Sequence, residues 1–246
     1  MTKFCYTFNC HSAKGYIGTG GDSGIGRAAA ILFAMEGASS VIVCLPEEGN
    51  DAQDRKTKGR VEGAVRDCYS LAVDIRYRKG CQKVIDTAVD YFGGIDILVN
   101  NEGCQNMIND IGGLEDQWER TFDTNIYPFF YLSKHALSHM KSGSSIINCG
   151  SINAYVGRPD LLNYTATKEA IVAFNKRVYK RIASQSGSPL TPSTMTTSAM
   201  YQFSGVPMTR PGQPSEVATC FVFLESQDSS YISGQCLHPN GGAVND

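Results

Sequence analysis

The chain has no apolar run approaching the ~18 to 20 residues a spanning helix needs, and its mean hydropathy is −0.20, which argues against a transmembrane protein. It has no excess of charge of either sign: Lys plus Arg number 22 and Asp plus Glu 24, for a formal net charge of −2. Bulk electrostatics therefore does not point to a nucleic-acid partner. There is no Cys-x-x-Cys pair among the nine scattered cysteines. Reduced, mostly buried thiols are the plain expectation. Cys5, Cys10 and His11 lie near one another, but no further ligand at finger-like spacing completes a metal site, and no metal is expected. The stretch from Met1 to Lys14 mixes Lys3, Asn9, His11 and Ser12 into its apolar residues, so it lacks the continuous run of a secretory signal. A cytoplasmic location follows as the expectation.

No repeat, low-complexity stretch or linker divides the 246 residues, and a 42% hydrophobic content can fill one sizeable core. The chain reads as a single domain over 1–246. Short apolar runs alternate with longer helix-like segments, the pattern of repeated β-α units around a parallel sheet. Strands are expected at Val41 to Leu45, Tyr69 to Val73, Ile95 to Val99, Ser145 to Cys149 and Gly234 to Leu237. Helices are expected at Gly24 to Glu36, Ala52 to Cys68, Cys81 to Phe92, Trp118 to Met140, Tyr164 to Ile182 and Ser215 to Leu224. The expected fold class is α/β, a doubly wound parallel sheet of Rossmann type.

Thr19-Gly20-Gly21-Asp22-Ser23-Gly24-Ile25-Gly26 follows a candidate strand and opens a helix. Glycines there tighten the turn and let backbone N–H groups approach a pyrophosphate, whose charge the helix N-terminus favours. Glu47 and Glu48 follow the second strand, where an acid can grip a ribose 2′-hydroxyl and repel a 2′-phosphate. They read equally well as solvated loop charges, so NAD and NADP both stay open.

Tyr164 and Lys168 are four residues apart, one turn and one face of a helix. An ammonium beside a phenol favours the tyrosinate that general acid/base work requires. Ser151 lies upstream at the C-terminal end of the strand Ser145 to Cys149, where open parallel sheets gather ligands. Taken singly, these are a turn former, a packed aromatic and a surface charge; together they form a candidate catalytic set.

These residues resemble the short-chain dehydrogenase/reductase family over nearly the whole chain. The resemblance rests on Thr19-Gly20-x-x-x-Gly24-x-Gly26, Asn100-Asn101-x-Gly103, Asn125, Ser151 and Tyr164-x-x-x-Lys168. Asn153-Ala154-Tyr155 and Gly234-Gln235-x-Leu237-His238-Pro239-Asn240-Gly241-Gly242 look like its aldehyde reductase and glucose/ribitol dehydrogenase-like branch. The resemblance implies that Tyr164 donates a proton to a carbonyl, Lys168 tunes Tyr164 and holds the nicotinamide ribose, Ser151 orients the carbonyl and Asn125 holds a relay water. It implies that Gly20, Asp22, Ser23, Gly24, Ile25 and Gly26 hold the pyrophosphate side. Glu47, Asp74, Asn101 and Gly103 would meet the adenosine, and Thr191 the nicotinamide. It also implies a homodimer or homotetramer, built on the helices Trp118 to Met140 and Tyr164 to Ile182.

Three features depart from the family pattern. The opening strand, Lys14-Gly15-Tyr16-Ile17-Gly18, carries glycines that weaken a strand. Glu102 stands where the family has Ala, and a carboxylate in the groove costs desolvation and repels phosphate. The hydrophobic sixth strand is missing. Ser184 to Leu190 could span about 23 Å when extended, yet it offers almost no apolar surface and includes Pro189. A poor replacement strand or a gap in the sheet is expected there. A substrate pocket is expected between Ser151 to Asp160 and a lid at 192–208, where Tyr155, Leu161, Met195, Met200, Tyr201 and Phe203 would suit a hydrophobic carbonyl or alcohol. The leading reading is an NAD(P)(H)-dependent oxidoreductase. A non-redox isomerase, lyase or cyclase that reuses the same side chains, and a binding module without turnover, are the alternatives.

Overall fold

A parallel strand covered by helices on both sides can be apolar at every position, and the central strands follow that rule. β1 (Tyr16–Thr19), β2 (Ser40–Cys44), β3 (Cys68–Ala72), β4 (Ile95–Asn100), β5 (Met140–Cys149), β6 (Ser193–Met195) and β7 (Cys236–Leu237) form one sheet. Its order is β3-β2-β1-β4-β5-β6-β7, with every pair parallel. The computed structural model describes residues 15–47, 52–64, 66–107, 112, 115–186, 193–195 and 206–243, with side chains described outside 52–55 and 177–195. The helices are α1 (Gly24–Met35), α2 (Ala52–Gly63), α3 (Arg78–Phe92), α4 (Glu115–Asn125), α5 (Tyr127–Ala136), α6 (Asn153–Val156), α7 (Leu162–Ser186) and α8 (Pro214–Glu225).

Side chains alternate between two cores. Tyr16, Ile42, Val99 and Ile147 pack with Phe33 of α1 and Phe221 of α8. Ile17, Val41, Leu98 and Ile146 pack on the other face with Val84 and Ile85 of α3 and Leu132 of α5. This is the doubly wound arrangement the sequence pattern predicts. The strand order reverses between β1 and β4, so a crevice opens beyond the C-terminal ends of these two strands.

The glycine of β1, Gly18, has a packing reason. Tyr16 points into the first core with its ring 4.8 Å from that of Phe33, and a Cβ at Gly18 would overlap its hydroxyl. Glycine there admits a large aromatic that anchors the strand.

Three element boundaries differ from expectation. The stretch Trp118 to Met140 is not one helix: α4 ends at Asn125, and α5 begins at Tyr127 with Pro128 in its first turn. Proline lacks the N–H that an interior turn needs, so it starts a helix instead of continuing one. Met140 then opens β5. The charged helix from Ala52 stops at Gly63, and Cys68 belongs to β3. At the shortened sixth strand, α7 runs on through Ser186, and Ser193–Met195 forms β6 between β5 and β7. The replacement strand exists, but it lies later than Ser184 to Leu190 and is only three residues long.

A buried amide ladder ties the helix carrying Tyr164 to the sheet centre. Asn148 of β5 donates to Asn175 of α7 at 3.3 Å, and Asn100 of β4 donates to Asn148 at 2.9 Å and to Ser133 of α5 at 3.3 Å. Such bonds fix the register of elements whose apolar contacts alone would permit sliding.

Two measurements follow from the buried polar groups. The Tyr16 hydroxyl is buried without a hydrogen-bond partner among the described residues, and burial pushes its pKa up. Removing it in Tyr16→Phe should leave stability unchanged or raise it by up to about 1–2 kcal/mol in urea unfolding, whereas Gly18→Ala should lower it by about 1–3 kcal/mol. The Glu225 carboxyl at the end of α8 is pushed up by burial from an ordinary 4.5 to about 8, with the Asp96 charge adding to the rise and a Ser145 hydrogen bond opposing it. The folded state then binds more protons than the unfolded chain, so this group's contribution to stability falls as pH rises from about 4.5 to about 8. Glu225→Gln should raise Tm more at pH 8.5 than at pH 5; an equal change at both would contradict this.

Candidate active site

β1 ends in Thr19, whose hydroxyl accepts hydrogen bonds from the backbone N–H groups of Asn101 and Glu102, each at 2.9 Å. The Asn101 amide donates back to the Thr19 carbonyl at 3.1 Å. These bonds lock the loop after β4 to the glycine turn after β1. Within that turn Gly20 has φ of +61°, a conformation glycine adopts without strain. A Cβ on Gly26 would overlap the Gly20 carbonyl, so α1 starts packed against the turn. α1 has no acidic residue in its first turn, and Ser23 makes no side-chain cap. Its first amides therefore remain available to an anion in the crevice. Arg27 braces the turn from behind: Nε donates to the Asp22 carbonyl at 3.0 Å and to Thr57 of α2 at 3.1 Å.

A cleft of about 290 Å³ is lined by Gly20, Asp22, Ser23, Gly24 and Ile25 of the turn and by Asn101, Glu102, Gly103 and Gln105 of the loop. Cys149, Gly150, Tyr164 and Lys168 line it from the other side. A second cleft of about 250 Å³, lined by Leu45, Asp74, Arg76, Cys104, Arg120 and Thr124 among others, meets the first at Glu102 and Gly103. The glycine turn and the Tyr164–Lys168 pair thus face one space.

Lys168 is 3% exposed, and its Nζ donates to the Cys149 carbonyl at 2.9 Å. It lies 5.5 Å from the Tyr164 ring centre and 5.9 Å from that of Phe129, both within cation–π range. Its charge and the enclosed thiol of Cys149 act on each other: burial raises the Cys149 pKa, and the Lys168 charge opposes the rise. Tyr164 is placed through its neighbour. Its N–H donates to Asn163 Oδ1 at 2.8 Å, and Asn163 Nδ2 donates to Thr121 of α4 at 2.9 Å. Ser151 is buried directly after the cleft residue Gly150, and its Oγ accepts from the Asn153 N–H at 3.2 Å. Ser151 itself is not among the lining residues of either cleft.

Asn125, Asp74 and Glu47 sit differently with respect to the two clefts. Asn125 is the last residue of α4, and its carboxamide holds the loop: Oδ1 accepts from Cys104 N–H at 2.8 Å, while Nδ2 donates to Cys104 O at 3.0 Å and to Thr167 at 3.1 Å. That carboxamide is committed to protein groups, so its position is that of a brace for the Gly103 loop. Asp74 lines the second cleft, but its carboxylate accepts from Arg76 N–H and Nε, at 2.9 Å each to Oδ1, and from Nη2. The Arg76 hydrogen bonds hold the Asp74 carboxyl below the usual range. Glu47 is exposed and lines neither cleft; its charge adds to that of Asp74 in raising the Arg76 pKa.

Of the expected substrate pocket, Leu161 is fully buried and lines neither cleft. Tyr155 is exposed, with its ring 5.0 Å from that of His238. Glu48, Thr191, Met200, Tyr201 and Phe203 lie outside the described residues, as do Cys5, Cys10 and His11. Residues not anticipated are Arg76, Arg120 and Thr124, together with the clamping role of Thr19. Arg120 and Thr124 share one face of α4 at i, i+4 spacing, a signal that becomes useful only once α4 is known to border the cleft. Among the described residues no His, Cys, Asp and Glu cluster could hold a metal, no helix is long and apolar enough to cross a membrane, and no disulfide joins two cysteines.

A family model described as enoyl-(acyl carrier protein) reductase matches residues 18–244. The chain is 44% identical to the glucose and ribitol dehydrogenase of Daucus carota, covering 92% of this chain and 83% of that protein. It is 42% identical to the chloroplastic NADPH-dependent aldehyde reductase 1 of Arabidopsis thaliana, covering 92% and 84%. Among solved structures, a short-chain dehydrogenase/reductase of the glucose/ribitol dehydrogenase type from Brucella melitensis superposes with a TM-score of 0.85 at 30% identity, over 95% of this chain and 97% of that one. An NADH-dependent reductase, A1-R′, complexed with NAD superposes with a TM-score of 0.85 at 27% identity, over 96% and 98%.

The Thr19 clamp makes a specific expectation. Thr19→Val deprives two loop amides of their acceptor, at roughly 1–3 kcal/mol each, so stability should fall by about 2–4 kcal/mol in chemical denaturation. Thr19→Ser should recover most of the loss. A valine variant as stable as the parent would show that the clamp does not hold the loop.

Proposed function

Because the chain belongs to the short-chain dehydrogenase/reductase family, a family of oxidoreductases that use NAD or NADP, we propose that it interconverts a carbonyl and an alcohol with Tyr164 as general acid/base. The observation that carries the proposal is that Tyr164 and Lys168 line the same cleft as the glycine turn. The bare first turn of α1 and the close-packed Gly20–Gly26 turn suit a pyrophosphate, with the Leu45, Asp74 and Arg120 cleft for the adenosine. When bound there, the nicotinamide supplies or accepts the hydride.

This chain's residues do the rest. The Tyr164 hydroxyl passes its proton to the carbonyl oxygen in reduction and takes it back in oxidation. Lys168, anchored at the Cys149 carbonyl, holds a cation beside that phenol. Ser151, next to the cleft on the β5 loop, orients the carbonyl oxygen by a rotation of its hydroxyl. Asn125 acts as a positioning residue by holding Cys104, which sets Gly103 beside Lys168: a Cβ on Gly103 would sit 3.5 Å from both Lys168 Nζ and Asn125 Oδ1. The relatives' names make aldehydes and polyols the first substrates to try. Tyr127 and Phe130 of α5 are exposed aromatics, 46% and 48% accessible, on a helix suited to self-association into a dimer.

Turnover of an aldehyde and polyol panel with NADH, NADPH and their oxidised forms tests this. Tyr164→Phe should lower kcat by about 100- to 10,000-fold, the usual worth of a positioned acid/base group, while dinucleotide affinity stays within about twofold. Retained turnover in Tyr164→Phe would remove the phenol from the chemistry.

A further inference from the structure

The two clefts share only Glu102 and Gly103 among their lining residues. Any ligand long enough to occupy both must pass over this dipeptide. Its backbone cannot yield easily, because the Glu102 N–H is bound by Thr19 and the next residue, Cys104, is held at both N–H and C=O by Asn125. The Glu102 side chain is the movable part. One carboxylate oxygen accepts from the Gly103 N–H at 3.2 Å, and the other lies 2.9 Å from where a Cβ on Gly20 would stand. The carboxylate therefore sits against the glycine turn, fills the acceptor place that the Gly103 amide would otherwise offer a ligand, and brings a negative charge to the junction.

We infer that Glu102 is an internal gate of the dinucleotide groove, a carboxylate that must swing out before a dinucleotide can lie across both clefts. The inference rests on the reading of the two clefts as the halves of a dinucleotide site. Two costs oppose dinucleotide binding at the gate: opening it breaks the Gly103 hydrogen bond, and the charge of Glu102 opposes the pyrophosphate. Asp22 at the turn and Asp74 in the second cleft add to the negative side, while Lys168, Arg76 and Arg120 offset it. Arg76 is already engaged by Asp74 and Lys168 by the Cys149 carbonyl, so Arg120 is the cation of the second cleft with neither of those commitments. Glu102 thus sets affinity and not proton transfer, which separates its role from that of Tyr164.

Equilibrium titration of the full chain with NADH and with NADPH, read by nicotinamide fluorescence, tests the gate. Glu102→Ala should bind at least tenfold tighter than the parent. Glu102→Gln, which keeps the size and the Gly103 contact but removes the charge, should fall between them. Raising the salt concentration should tighten the parent's binding, by screening the repulsion, and leave Glu102→Gln little changed. Binding within twofold of the parent in both variants would overturn the gate while leaving the dinucleotide site intact. Absence of binding in parent and variants alike, with all three folded by circular dichroism, would overturn the dinucleotide reading itself and the gate with it.

Discussion

The hydroxyl of Thr19 accepts two backbone amides, and most of the site depends on that. With it, the loop after β4 is held against the turn after β1 at the point where the sheet reverses its winding. Asn125 grips the same loop from the opposite side through Cys104. Gly103, caught between the clamps, comes beside Lys168, so the two clefts share a wall. Neither clamp is a large energy by itself, but each satisfies amides that would otherwise be left unpaired near the sheet, and that asymmetry makes them hard to dispense with.

Much of this was legible in the residues. Parallel strands buried on both faces read as apolar runs, so Val41 to Val43 and Ile95 to Val99 identified themselves, and the turn and the Tyr164–Lys168 spacing followed from local geometry. What could not be read was anything set by a partner distant in sequence. Gly18 looks like a weak strand residue until Tyr16 is seen lying over it. Asn125 looks like a mid-helix amide until Pro128 is recognised as the start of a new helix. Asp74 looks like a free acceptor until Arg76, two residues on, turns back and occupies it. In each case a local preference was overruled by a tertiary contact that periodicity does not encode.

The sixth strand shows how the fold absorbs a poor segment. Ser193–Met195 contributes only three residues of ladder between β5 and β7, yet it keeps the sheet continuous. α7 is also anchored directly to β5 and α4. Asn175 reaches Asn148 of β5, Asn163 reaches Thr121 of α4, and Lys168 reaches the Cys149 carbonyl. Tyr164 and Lys168 are thereby tied to the well-packed centre of the sheet and to α4.

A crystal structure of the full chain grown with NADH or NADPH tests the central claim most directly, that one crevice serves both the glycine turn and Tyr164. The pyrophosphate is expected at the first turn of α1, the adenine in the cleft of Leu45 and Arg120, and the nicotinamide in the cleft of Tyr164, with room for a substrate carbonyl between nicotinamide and phenol. A dinucleotide lying elsewhere, or one bound with its nicotinamide turned away from Tyr164, would contradict it.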